Sequence, residues 1–188
     1  VYGGLHKKYN VNPDIAVFGK SLGNGIPLTA VIGKKNIMES ATNSFISSTF
    51  WTDATGPAAG ISTLKEMKSL QSWKKISSTG KKIKKFWKYL SKKYKIKISI
   101  YGIDAMPSFR FNHKLHLYLR TYLTQEFLKK KILATNSVYC SIYHDRYLKI
   151  YFKELDKIFS KISKLVNNKS ILNELQYPVS IPGFSRLN

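Results

Sequence analysis

Three glycines and a proline fall within nine residues, Gly19-Lys20-Ser21-Leu22-Gly23-Asn24-Gly25-Ile26-Pro27, between two short apolar runs at Asp14–Phe18 and Leu28–Ile32. That density forces a tight, irregular loop. The flanking runs have the length of short strands, the first suited to burial. A lysine therefore sits at the end of a strand. At the C-terminal edge of a sheet it points into the crevice where α/β proteins bind ligands. A partly dry crevice favours the neutral amine, which is the nucleophile for a carbonyl. Glycines on either side let backbone approach a bulky ligand. Gly19-Lys20-Ser21 does not make a P-loop: that motif needs a glycine five residues before its Gly-Lys pair, and Asp14 stands there.

After the second strand, closed by Gly33, residues 34–40 suit a short helix, and Ser44–Thr52 is hydroxyl-rich with two aromatics. From Asp53 to about Tyr94 the spacing predicts helix. Apolar residues recur three apart from Ile61 to Ile76 and resume at Ile83, Phe86, Trp87 and Leu90. Ser77-Ser78-Thr79-Gly80 is the expected kink or break. From Lys95 the period becomes two, and Ile96, Ile98 and Ile100 predict a half-buried strand with Met106–Phe111 as its hairpin partner. Leu117–Lys131 reads as helix, Asn136–Ile142 as strand, Asp145–Val166 as an amphipathic helix and Tyr177–Asn188 as an extended tail. This order predicts the end of an α/β sheet domain at 1–70, a linking helix at 71–94 and a small α+β domain at 95–188.

The net charge is +22, yet of 32 basic residues only Arg110, Arg120, Arg146 and Arg186 are arginine. Readers of specific nucleic-acid sequences depend on arginine for bidentate contacts. The lysines are therefore taken as solvated faces, with no specific nucleic-acid partner expected. A non-catalytic basic fragment that binds polyanions is the alternative. The single cysteine, Cys140, excludes an internal disulfide and a multi-cysteine metal site, and is taken as a small core residue. No metal is expected. No apolar run approaches the roughly 20 residues that span a bilayer. Val1–His6 lack the basic-then-apolar pattern of a signal peptide. With no initiator Met, the sequence is expected to begin within a longer protein, located in the cytoplasm.

The stretch Pro13-Asp14-Ile15-Ala16-Val17-Phe18-Gly19-Lys20-Ser21-Leu22-Gly23-Asn24-Gly25-Ile26-Pro27, continuing to Ala30-Val31-Ile32-Gly33, resembles the lysine motif of class III aminotransferases, with Asn24 where a glycine is usual. Ser47-Ser48-Thr49-Phe50-Trp51-Thr52, then Gly56-Pro57-Ala58-Ala59-Gly60 and Leu64, is similar to the family's Thr-Phe segment and the small-residue helix start after it. Gly183-Phe184-Ser185-Arg186-Leu187-Asn188 resembles the terminus of some members.

The resemblance implies the type I fold of pyridoxal phosphate (PLP)-dependent transferases, the chain being the C-terminal part of the large domain plus the small C-terminal α+β domain. It implies that Lys20 carries PLP as a Schiff base and shuttles the proton in transfer of an amino group between a small-molecule donor and an oxo acid or aldehyde. Thr49, with Ser48 assisting, would hold the cofactor phosphate of the neighbouring subunit, so that a homodimer shares its active sites. Transamination and the 2,1-aminomutation of glutamate 1-semialdehyde use the same lysine, and Ser48-Thr49-Phe50-Trp51-Thr52 stands closer to the transaminases. Arg110 could grip a substrate carboxylate or be a surface charge, and His144 and Tyr139 are weaker pocket candidates. The family's aspartate for the pyridinium nitrogen, its phosphate loop and its ring-stacking aromatic find no place in residues 1–12, so the isolated chain is expected to be inactive.

Overall fold

The computed structural model describes residues 1–167 and 170–181, and the motif at Gly183–Asn188 lies outside them. The chain divides into two compact units, Val1–Lys74 and Lys75–Asn188.

The first unit runs α1 (Leu5–Lys8), β1 (Ile15–Phe18), a 3-10 turn (Lys20–Leu22), β2 (Ala30–Gly33), α2 (Lys35–Met38), a second 3-10 turn (Glu39–Asn43), α3 (Thr55–Leu70) and the first residues of α4 (Ser72–Lys93). Strands β1 and β2 form an antiparallel hairpin with Phe18 opposite Ala30 and Ile15 opposite Gly33. Pairing begins two residues later than the pattern predicts because Leu28 turns toward α3. A Cβ at Gly60 would stand 2.6 Å from Leu28 Cδ2, and one at Gly56 would stand 3.3 Å from Cδ1. The buried strand expected at 14–18 is only half covered. Ala16 and Phe18 are half-buried, whereas Ile15 and Val17 are 48% and 70% exposed, because no described layer covers their face.

The second unit continues α4, then β3 (Ile98–Tyr101), β4 (Ser108–Phe111), α5 (His116–Leu128), a 3-10 turn (His144–Tyr147), α6 (Leu148–Asn167) and a last 3-10 turn (Ser170–Glu174). Strands β3 and β4 pair antiparallel, with Ile98 opposite Phe111. Alternation sends Phe109 and Phe111 inward, where Trp87 meets Phe109 edge-on at 4.8 Å and Phe159 lies 5.8 Å from Phe111. Such aromatic contacts add roughly 1 kcal/mol each beyond their buried area. The Trp87 indole donates to Tyr151 Oη at 2.9 Å, which satisfies two buried polar groups at once. α5 carries a second, polar buried face. Gln125 donates to the Glu174 carbonyl and accepts from the Gln176 N–H, Thr121 Oγ accepts from the Ser180 N–H, and Arg120 donates to the Ile181 carbonyl.

Two elements depart from the sequence reading. The predicted break at 77–80 is not there: these residues lie inside α4, and the helix break falls at Gln71, whose φ of 47° and ψ of 45° end α3. Gly80 is small for another reason, since a Cβ there would lie 1.6 Å from the Asp104 carbonyl oxygen. The strand expected at 136–142 reduces to one bridge, Ser137 with Ser108. The Val138 N–H donates to the Pro107 carbonyl, but Pro107 has no N–H to return the bond, so the ladder cannot propagate. Among the described residues, no helix is long and apolar enough to cross a membrane, and no cluster of metal-ligating side chains occurs.

Alanine normally favours a helix interior over glycine by roughly 1 kcal/mol. At Gly80 the sign should reverse: Gly80→Ala is expected to lower unfolding stability by about 1–2 kcal/mol in urea titration, because the methyl meets a backbone carbonyl.

Candidate functional site

β1 ends at Phe18, and the chain turns through Gly19 into Lys20, whose φ is +51°. For a residue with a Cβ this left-handed conformation costs roughly 1 kcal/mol. The turn is held by the Leu22 N–H donating to the Gly19 carbonyl and the Ile26 N–H to the Gly23 carbonyl, both at 3.1 Å. Gly23 is obligatory, since a Cβ would lie 1.9 Å from the Ile26 carbonyl oxygen. Lys20 is exposed and, among the described residues, has no hydrogen-bond or ion-pair partner.

Beside this turn lies a cavity of about 830 Å³. Its floor is the Ala16, Phe18, Ala30 and Ile32 face of the hairpin, and its walls include Gly19, Ser21, His6, Leu64 and Met67. Both neighbours of Lys20 line it, although Lys20 itself does not. His6 stands with its ring 6.4 Å from that of Phe18. Its place in a turn-rich stretch gave no sequence signal.

Ser48 and Thr49 lie outside this cavity and make no hydrogen bond to the Lys20 turn. They sit on an exposed segment that turns at residues 49–52, and in it Phe45 is 96%, Phe50 75% and Trp51 67% exposed. Ser48 Oγ accepts from the Phe50 N–H at 3.2 Å. Asp53, which follows, serves the start of α3. The Thr55 hydroxyl and N–H bond its carboxylate and hold it below the usual carboxylate range.

Arg110 is exposed on the outer face of β4, with Nη2 3.1 Å from His116 Nε2. Desolvation, then the charges of Arg110 and Arg120, lower the His116 pKa and favour the neutral ring that accepts this bond. His144 Nδ1 accepts from the Ser141 N–H at 3.0 Å, a turn contact, and Tyr139 is 74% exposed. Cys140 is half-buried, and burial, then the nearby Asp104 carboxylate, push its thiol up to about 11.

Comparison with known proteins adds to this geometry. The family model described as "Aminotransferase class-III" matches residues 4–166. A "Glutamate-1-semialdehyde 2,1-aminomutase" of Methanocaldococcus jannaschii is 33% identical over 115 residues, which is 60% of this chain and 27% of that protein. A "3-aminobutyryl-CoA aminotransferase" of Cloacimonas acidaminovorans is 28% identical over 151 residues, 78% of this chain and 35% of that protein. Among solved structures, the PLP internal aldimine form of FumI from Sphingopyxis sp. MTA144 superposes with a TM-score of 0.77 at 19% identity, covering 86% of this chain and 40% of that one. An omega-transaminase from Sphaerobacter thermophilus gives 0.71 at 14% identity, covering 87% and 41%. The fold is the mixed α/β type I fold that these structures share, as the lysine motif implied. The chain spans about a third of the length of the curated relatives.

Two measurements test the local geometry. Asparagine tolerates the left-handed region, so Lys20→Asn should raise unfolding stability by up to about 1 kcal/mol in urea; a fall would show that the interactions of Lys20 outweigh the strain. Because burial pushes the thiol up to about 11, Cys140 should react with iodoacetamide at pH 8 far more slowly in the folded chain than in urea.

Proposed function

The chain belongs to the class-III aminotransferases, and on that premise we propose that it is part of a PLP-dependent aminotransferase whose cofactor lysine is Lys20. One observation carries the reading. Lys20 is exposed, unpartnered among the described residues and held at a left-handed φ by a turn that only Gly23 can close. Asparagine or glycine would suit that backbone better. Strain kept at such a position is expected where the side chain is needed.

The residues present fit the cofactor. Lys20 supplies a primary amine on a rigid turn, and Ser48 and Thr49 supply hydroxyls for a phosphate. When bound, PLP supplies the electron sink. The Lys20 amine would hold the cofactor and, once freed, would carry the proton between the α-carbon of a small-molecule amino donor and C4′ of the cofactor, so that the amino group passes to an oxo acceptor. Ser48 and Thr49 serve the phosphate held by a neighbouring subunit. The exposed Phe45, Phe50 and Trp51 of their segment support that arrangement, since a second copy would cover them. The chain covers about a third of its relatives' length, so we assign the pyridinium-binding acid, the phosphate loop and the ring-stacking aromatic to the remainder of a longer protein.

Internal 1,2-amino transfer at the same lysine is the second reading, and it is favoured by the likeness to the Methanocaldococcus jannaschii aminomutase. A transaminase consumes a separate oxo acceptor, whereas an aminomutase does not.

The test uses the intact protein that contains these residues. Borohydride reduction with one equivalent of PLP should abolish a yellow chromophore and fix a pyridoxyl group on the Lys20 peptide. Lys20→Ala should lose both, and a label found only at another lysine would overturn the assignment. The 188-residue chain alone should show no turnover above background.

A further inference from the structure

The lysines of α4 sort by position. Between Glu66 and Asp104 the sequence has twelve lysines and no acidic residue. Three on the flanks of the helix meet acids from other elements: Lys82 meets Asp145 at 2.6 Å, Lys84 meets Asp104 at 2.9 Å and Lys93 meets Asp156 at 2.8 Å. Lys81, Lys85, Lys88 and Lys92 do not. Their 4-3-4 spacing puts them on one stripe, opposite the buried Ile83 and Leu90. All four are exposed, and none has an ion-pair partner among the described residues. At 1.5 Å per residue the stripe runs roughly 16 Å. Like charges three and four apart disfavour the helix that carries them. Solvation alone needs only polar residues there, and not one glutamate interrupts the row.

We propose that this stripe is a docking surface for the phosphate backbone of nucleic acid, bound without regard to sequence. Evenly spaced cations suit a polymer with evenly spaced anions, and their engagement releases condensed counterions. The stripe contains no arginine, so it has no fork with which to read base edges. A membrane surface fits less well. An interfacial helix needs an apolar face for the lipid, and the apolar face of α4 is buried, with Ile83, Trp87 and Leu90 at most 1% exposed. The surface is remote in sequence from Lys20, and its role stands or falls independently of the cofactor reading.

Fluorescence anisotropy of the intact protein that contains these residues with a labelled 20-base-pair duplex of mixed sequence, titrated from 50 to 200 mM salt, tests this. The quadruple variant K81Q/K85Q/K88Q/K92Q should bind at least tenfold more weakly at 50 mM salt. It should also lower the slope of log K against log salt by about 3 to 4, near 0.9 for each phosphate no longer neutralised. A control, K65Q/K114Q/K130Q/K131Q, removes the same charge from scattered exposed positions and should stay within threefold of the parent. The double variant K85Q/K88Q should fall between them, and it carries the test if the quadruple variant loses its helical circular dichroism. Equal losses in stripe and control variants would overturn the proposal, leaving net charge as the cause. So would no binding at 50 mM salt, or stripe-dependent binding to phosphatidylserine vesicles without binding to the duplex.

Discussion

The contact of Leu28 with the glycine face of α3 is the constraint on which the first unit depends. Gly56 and Gly60 leave a shallow groove at the start of the helix, and Leu28 fills it while Leu22 lies alongside. This fixes the chain after the turn, delays strand pairing to Ala30 and sets the loop that must close over Gly23. With both ends fixed, the short path between Phe18 and Leu22 leaves Lys20 in the left-handed region. The helix start and the lysine turn are thus one packing unit, although more than thirty residues separate them.

Much of this was legible in the sequence because glycine spacing and apolar runs are local signals. The Lys20 loop, the β3–β4 hairpin and α6 all follow from period and punctuation. The misplaced elements share a physical cause. Small residues at 77–80 signal either a break or a close approach, and only the position of the Asp104 carbonyl decides between them. Gln71 ends α3 in a conformation that glycine or asparagine normally marks, so the true break carried no flag. The missing rung at Pro107 was visible as a proline, but not which segment would look to it for a hydrogen bond. For the site, Lys20 could be found from its motif, whereas the cavity wall at His6, Leu64 and Met67 depends on tertiary packing alone.

Charge is distributed differently in the two units. In the second, the few acids are used at the seams of helices: Asp145 and Asp156 of the α6 region bind Lys82 and Lys93 of α4, and the buried Glu126 of α5 takes both Lys129 and Lys161. Exposed pairs of this kind contribute little individually. Their consequence is directional, because placing the acids at the seams leaves the outward rows of lysine uncompensated. In the first unit, large apolar side chains stand exposed at Ile15, Val17, Phe45, Phe50 and Trp51.

The three tryptophans fall in three different environments: Trp51 is 67% exposed, Trp73 is half-buried with its ring 5.1 Å from Tyr2, and Trp87 is fully buried with its indole bonded to Tyr151. Indole emission shifts to shorter wavelength as its surroundings lose water. The intrinsic fluorescence of the chain is therefore a sum of spectrally separable reporters, blue from the core of the second unit and red from the Ser44–Thr52 segment. Melting of the one and covering of the other can be followed in a single cuvette without a label.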